Sequence, residues 1–436
     1  MKKRWFILVA VVLLAAALLA ACGKSAPQAT QAKPAGQGQA TSQAQPTAQS
    51  QSSGQGQTAK FKCNDPYGCV DIAPGKPIKI GAALVLSGPN ESLGVDSLGG
   101  VEIAVDDFTK ANKDWLGKHS IQVVKEDSQC SAEGGQTAAQ KLAADKSIVG
   151  VIGTNCSSAG VPASKILSDA HVPLISPSNT APSLTAPKTH AECYLRTAHN
   201  DKVQGKAVAE FAYKVLKAKT MATIHDGSPY AEQLQQVACD VFTQLGGKCV
   251  AQEAINVGDT DFRPVLTKIA STHPDVLYYP IFIQEGALIT QQAKEVPGLE
   301  KTVLMGSDGM ISPDFIKAAG DAAEGMYLSG PAAVKNEEFD KKYEAKYGEE
   351  PPSAFHLHAY DATMMLLDAI KKVAVVDKDG TIHIPRKALC QALFSTKDFK
   401  GLTGTLTCNQ YGDCADPKIN INQIQNGKYV PIWPKK

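Results

Sequence analysis

The stretch SIVGVIGTNCSSAGVPASKILSDAHVPLISPSNTAP, residues 147–182, decides the fold. Residues 148–152 are a short apolar run rich in β-branched side chains, the pattern of a buried strand. Gly153, Thr154, Asn155, Cys156, Ser157 and Ser158 break that run with turn and helix-capping residues. Ala163, Ile166, Leu167 and Ala170 then recur at helical spacing. Residues 172–175 are a second strand, and 176–182 a second polar turn. Strand, helix and strand in that order make a βαβ unit. Its two turns lie at the carboxyl ends of neighbouring parallel strands, where open α/β sheets hold ligands. Hydroxyls and unbonded N–H groups at a helix N-terminus suit a carboxylate.

The same alternation continues outward. Upstream, residues 78–86 form a strand turned by Ser87, Gly88 and Pro89, and Val101, Ala104, Val105 and Phe108 make a helix face. Residues 121–124 are the next strand. Downstream, 195–197 closes a first series and 198–201 crosses to a second. There Val208, Phe211, Ala212 and Val215 form a helix face, and 221–224 a strand. Leu234, Val237, Ala238, Val241, Phe242 and Leu245 form an amphipathic core stripe. Residues 276–279 and 302–305 are further strands, each ending in a distinctive turn. Beyond 328 the pattern turns helical, with a second stripe from Ala362 to Val373, and residues 404–432 read as a closing β segment.

Alternating strands and helices imply parallel sheets covered on both faces. There are about twice as many units as one such sheet needs. The expected fold class is therefore α/β, with two doubly wound parallel-sheet lobes joined by a hinge. Residues 78–199 with 332–401 form lobe 1, and 200–331 with 402–436 form lobe 2. A cleft between lobes is a favoured ligand site.

The N-terminus carries a separate message. Lys2, Lys3 and Arg4 precede an apolar run from Trp5 to Ala21, and small residues lead into Cys22. This resembles a bacterial lipobox: a signal peptide over 1–21 is removed and Cys22 is lipidated. The competing reading is one transmembrane helix, for which the run is at the short edge. Residues 22–60 are mostly Gln, Ser, Ala, Gly, Thr and Pro with almost no large apolar side chain, hence a disordered linker. As a coil it spans on the order of 35 Å, enough to hold a folded domain clear of a membrane. Localisation follows: exported and lipid-anchored to the cell membrane, facing the periplasm or the exterior. The formal net charge of the whole chain is +1. Losing the basic leader leaves the rest slightly acidic, which argues against a nucleic-acid partner.

Setting Cys22 aside leaves ten cysteines, an even number in an exported chain, which implies five disulfides. Close spacing suggests Cys63–Cys69 in an N-terminal extension over 61–77, Cys239–Cys249 and Cys408–Cys414. Cys130 and Cys156 each end a strand, which makes their bridge plausible, and Cys193–Cys390 remains by elimination. The alternative of a metal site is disfavoured by spacings wider than those of paired zinc ligands and by the lack of clustered histidines.

From about Ile78 to Pro434 the chain resembles the branched-chain amino acid-binding proteins of ABC transporters, which have the type I periplasmic-binding fold. The resemblance rests on short segments in order. These are Leu86-Ser87-Gly88-Pro89, Cys156-Ser157-Ser158, residues 176–182, Leu195-Arg196-Thr197 with Asn200-Asp201, and His225-Asp226 with Tyr230. Gly258-Asp259-Thr260-Asp261-Phe262, Met305-Gly306-Ser307-Asp308-Gly309 and Tyr360-Asp361-Ala362 complete the set. The resemblance implies two lobes that close on a small solute. Ser157 and Ser158 would hold its carboxylate. Ser178 and Thr180 would supply a carbonyl and a hydroxyl, and Asp201 at the crossing joins this set. Tyr230 and Phe282 would close from the second lobe, and Asp308 would take the ammonium. The family also bridges two strands with a disulfide matching Cys130–Cys156. A zwitterion needs donors at one end and an acceptor at the other, and ionised partners strengthen both.

Three positions depart from the leucine binders: Leu93 and Phe282 replace tyrosines, and Asp308 is shorter than the usual glutamate. The added apolar surface leaves room for an aromatic acid, an amide or another small metabolite. Ser157, Ser178 and Thr180 also suit plain capping and turn roles. The functional expectation is a monomeric solute-binding lipoprotein that delivers an amino acid-like ligand to an ABC permease in the membrane. The alternative is a sensor of an amide or other metabolite without transport. No GxxxxGK loop, HExxH or G-x-S-x-G is present. The adjacent His225 and Asp226 diverge on a strand end. No catalytic residue, metal or cofactor is assigned.

Overall fold

Strand Ile148–Gly153, the first of the deciding stretch, runs mid-sheet in a computed structural model that describes residues 61–434. The signal segment, Cys22 and the linker to residue 60 lie outside the described residues. The sheet holds five parallel strands in the spatial order Ile121–Asp127, Ile78–Leu84, Ile148–Gly153, Leu174–Ser176 and Tyr194–Arg196. Every residue of Ile148–Gly153 is buried, as a parallel strand covered on both faces requires. Helices Glu91–Ala111 and His356–Val373 supply one apolar layer through Val101, Phe108, Leu366 and Ile370. Helices Ala132–Ala144 and Ser157–Asp169 supply the other through Ala138, Leu142, Ala163 and Leu167. The first pair packs unusually close. A Cβ at Gly100 would lie 2.0 Å from the His356 carbonyl oxygen, so no larger residue fits there.

The second sheet has seven strands: Lys428–Trp433, Ile419–Gln425, Tyr327–Pro331, Val303–Gly306, Val276–Tyr278, Thr220–His225 and Lys248–Ala254. The last five are parallel, while the C-terminal hairpin adds two antiparallel strands at one edge. Its two-residue turn is Asn426-Gly427, with φ of 53° and 68°. Positive φ at both positions is what the twist of a tight hairpin needs, and Asn-Gly is the pair that tolerates it. A large core surrounds this sheet, including Phe211, Leu234, Phe242, Ile269, Tyr278 and Phe315.

The N-terminal extension is strapped to the first half. Strand Cys69–Ile72 pairs with Ile382–Pro385. The Asp65 carboxylate accepts from the Lys387 and Ala388 amides at 3.0 and 3.1 Å, at the start of helix Arg386–Phe394. The closing segment departs from its expected place. Residues 402–414, expected in lobe 2, instead serve the first half: Leu406 and Cys414 belong to its core, and Asp413 pairs with Arg196. The Cys408–Cys414 loop folds back onto the end of strand Tyr194–Arg196, and the chain enters the second sheet only at Ile419.

The structure pairs Cys63–Cys69, Cys130–Cys156, Cys193–Cys390, Cys239–Cys249 and Cys408–Cys414. Among the described residues no helix is long and apolar enough to cross a membrane.

Candidate functional site

The two turns of the deciding stretch are built by side chains that bond to backbone. Ser176 Oγ accepts from the Asn179 amide at 2.8 Å and donates to the Thr154 carbonyl at 2.8 Å. Asn179 Nδ2 donates to the Thr154 and Asn155 carbonyls at 2.9 and 2.8 Å. Asn155 reaches the other way: its Oδ1 accepts from the Val85 amide, and its Nδ2 donates to the Leu93 carbonyl and to Ser97 Oγ. The Ser178 hydroxyl donates to the Asn155 carbonyl at 2.9 Å, and Ser157 Oγ accepts from the Ala181 amide at 3.2 Å. Both turns are thereby fixed to each other and to the start of helix Glu91–Ala111.

A cavity opens on these turns, and Asn155, Cys156, Ser157 and Ser178 line it. Helix Ser157–Asp169 starts at this wall. Its first amides have no intrahelical acceptor, and its N-terminus carries partial positive charge.

The opposite wall comes from strand-end turns of the second sheet. Tyr230 begins helix Pro229–Gln244, Phe282 precedes helix Ile283–Ala293, and Asp308 and Gly309 follow strand Val303–Gly306. The Tyr230 hydroxyl donates to Asp308 Oδ1 at 2.8 Å and accepts from the Gly309 amide at 3.2 Å. Burial, then the Asp308 charge, pushes that phenol well above its ordinary range, so it acts as a donor at any physiological pH. A Cβ at Gly309 would sit 2.7 Å from the Ile281 carbonyl oxygen, so only glycine lets this turn close on the cavity. Leu93, Phe282 and Phe355 add an apolar lining, with the Phe282 and Tyr230 ring centroids 5.4 Å apart.

Ser157, Ser178, Tyr230, Phe282 and Asp308 thus share one cavity. Ser158, Thr180 and Asp201 do not line it. Ser158 turns toward the disulfide, where its hydroxyl donates to the Cys130 carbonyl at 2.9 Å. Thr180 is buried behind the wall; its carbonyl accepts from the Asp201 amide at 3.0 Å, and its side chain sits beside the Asp201 carboxyl. Sequence reading missed the scaffolding role of Asn155 and Asn179, and missed Phe355 as lining. The two asparagines had a signal, since Asn in a polar turn commonly bonds to backbone. Phe355 had none, because it reaches the cavity from the start of a helix distant in the chain from both turns.

Asp201 is fully buried, and neither carboxyl oxygen makes a well-formed hydrogen bond among the described residues. Burial, then the neighbouring Asp308 charge, raises its pKa well above the carboxylate range. A carboxyl raised in the folded state binds its proton more tightly there than in the unfolded chain. It therefore subtracts stability as pH climbs from about 4 through the folded value. Asp201→Asn is expected to raise the melting temperature at pH 7 to 8, with the gain vanishing toward pH 4. A gain independent of pH in thermal melts contradicts this.

Two α/β units, each with a mostly parallel sheet, presenting strand-end turns to one shared cavity, define a bilobal binding protein of the type I periplasmic-binding fold. The chain belongs to the periplasmic binding protein family, which it matches over residues 77–428. It is 29% identical to the Leu/Ile/Val-binding protein homolog 3 of Brucella melitensis, over 81% of this chain and 93% of that protein. A leucine binding protein from Thermotoga maritima superposes with a TM-score of 0.71 at 27% identity, covering 81% of this chain and 97% of the other. The branched-chain amino acid transporter substrate binding protein of Streptococcus pneumoniae, solved with isoleucine, gives 0.70 at 27% identity, covering 82% and 99%.

Proposed function

We propose that this chain is the solute-binding component of an ABC transporter and captures a branched-chain or related amino acid. The observation that carries the reading is the polarity of the cavity. Ser157, Ser178 and a helix N-terminus stand on one wall, the Asp308 carboxylate on the other, and Leu93, Phe282 and Phe355 between them supply apolar surface. An α-amino acid with an apolar side chain has the matching three parts: an anion for the helix end, a cation for Asp308, and a hydrocarbon for the rest. Both Tyr230 and Gln204 bond to Asp308 Oδ1, and Oδ2 takes no bond among the described residues, which leaves it for an ammonium. The names of the relatives agree with this ligand class.

Cys22 carries the lipid anchor in this reading, residues 22–60 are the tether, and the permease is the membrane partner; the protein acts as an exported monomer without catalysis. Calorimetry against a panel of L-amino acids is expected to give saturable binding of leucine, isoleucine or valine; heat-silent titrations with all three refute the ligand class. Ser157→Ala is expected to weaken the best ligand about tenfold or more, since a hydrogen bond to a charged group contributes about 1.5–3 kcal/mol. Unchanged affinity removes Ser157 from the site.

A further inference from the structure

We propose that His199 and Gln204 are positioning residues that together hold Asp308 in the orientation needed to accept a ligand ammonium. This rests on the proposed role of Asp308 as that acceptor. Gln204, on helix Asp201–Glu210, donates from Nε2 to Asp308 Oδ1 at 2.6 Å and to Ser329 Oγ at 3.0 Å. It is fully buried, so its amide must choose one direction. A carboxylate only accepts, so the NH₂ group must face Asp308 and the carbonyl must face away. The carbonyl meets His199 Nε2, which must then carry the proton and donate. The histidine tautomer is thereby fixed, with Nδ1 bare; that nitrogen is buried without a partner among the described residues. Burial lowers the His199 pKa, with Asp308 and Gln204 opposing, so the ring is neutral when it makes this bond.

The relay has a direction in the fold. His199 lies in the first crossing between the halves, and its ring stacks on Phe355, a wall residue of the ligand cavity. It also lines a second cavity at the crossings, beside His358, Thr403 and Lys418. From this crossing the hydrogen bonds run through Gln204 to Asp308 Oδ1, to which Tyr230 also donates. Two donors on one oxygen hold the carboxyl plane and leave Oδ2 without a bond among the described residues. Turning the Gln204 amide over would set its carbonyl against Asp308, and the His199 donor opposes that turn.

The test separates this relay from the reading beneath it. Calorimetry compares L-leucine with its 2-hydroxy analogue, which keeps the carboxylate and side chain but lacks the ammonium. The wild type is expected to prefer leucine, and Asp308→Asn to erase that preference. Gln204→Leu is expected to lower leucine affinity about tenfold, as for one lost charge-assisted hydrogen bond, while leaving the hydroxy acid within about twofold. His199→Phe, which keeps a ring on Phe355, is expected to lower the same ratio by less. Nitrogen-15 NMR of His199 is expected to show Nε2 protonated and Nδ1 bare in the wild type, and a mixture of tautomers in Asp308→Asn. If Asp308→Asn erases the preference but Gln204→Leu preserves it, or lowers both ligands equally, the relay is wrong and the acceptor stands. If Asp308→Asn keeps the preference, or the wild type has none, the acceptor reading fails and the relay with it. A protonated Nδ1 in the wild type also overturns the relay.

Discussion

Replacing Arg196 by methionine is expected to cost about 3–5 kcal/mol of folding stability, the range for breaking a buried ion pair on one side, and to weaken ligand binding with it. Arg196 is fully buried at the end of strand Tyr194–Arg196 and uses all three guanidinium nitrogens. Nε donates to Asp413 at 2.6 Å, Nη1 to the Asn179 and Ala181 carbonyls at 3.0 Å each, and Nη2 to Thr185 Oγ1 at 2.7 Å. Methionine fills much of the volume but leaves two carbonyls and a carboxylate without their donor. The carbonyls belong to the turn that carries Ser178, so the damage reaches the cavity wall. Lysine is a poor rescue, because a point charge on a flexible stem cannot serve three directions at once. The check is the denaturation midpoint and calorimetric affinity of Arg196→Met and Arg196→Lys. A loss under about 1 kcal/mol, the level of an exposed pair, refutes the role assigned to this side chain.

The second large effect concerns the same strand from its other end. Cys193, just before Tyr194, bridges to Cys390 across a sequence separation of 197. In the chain-entropy account a loop this long contributes about 5 kcal/mol by restricting the unfolded chain. Cys193→Ser with Cys390→Ser is therefore expected to lower stability by that order. Removing Cys63–Cys69, which closes a loop of separation 6, is expected to cost only about 2 kcal/mol on the same account. Denaturant titrations of the two double variants under oxidising conditions decide it. Equal losses would mean that native packing, not loop length, sets the contribution. Leucine affinity is expected to survive in both, because neither bridge touches the ligand cavity; the Cys130–Cys156 bridge does, through Cys156.

Much of this architecture is legible from local pattern. The run 148–152 and the stripe through Leu234 and Phe242 each signal their structure within a few residues. Periodicity and turn chemistry act over that range. The cavity residues Ser157, Ser178, Tyr230, Phe282 and Asp308 come from the resemblance, and each lies at the end of a recognisable strand or the start of a helix. Thr180 stands two residues beyond Ser178, yet faces inward to Asp201. Along an irregular turn no fixed period says which side chain points where.

The assignment of residues 402–414 fails for a related reason. Gly404, Thr405 and Leu406 are as suited to one sheet edge as to another. A buried arginine 217 residues from Asp413 draws that loop to the first half.

The sequence by itself determined the two series of βα units, the cysteine count suited to five bridges, and the kind of chemistry at the strand ends, because these are set by residues close in the chain. Only the tertiary structure decided which hydroxyls reach the cavity, that Phe355 closes it, and that His199 and Gln204 stand behind Asp308. Those facts depend on contacts between segments apart in the chain, from Ser178 to Asn155 across 23 residues to Gln204 and Asp308 across 104, whose meeting is fixed by packing and by no periodic pattern.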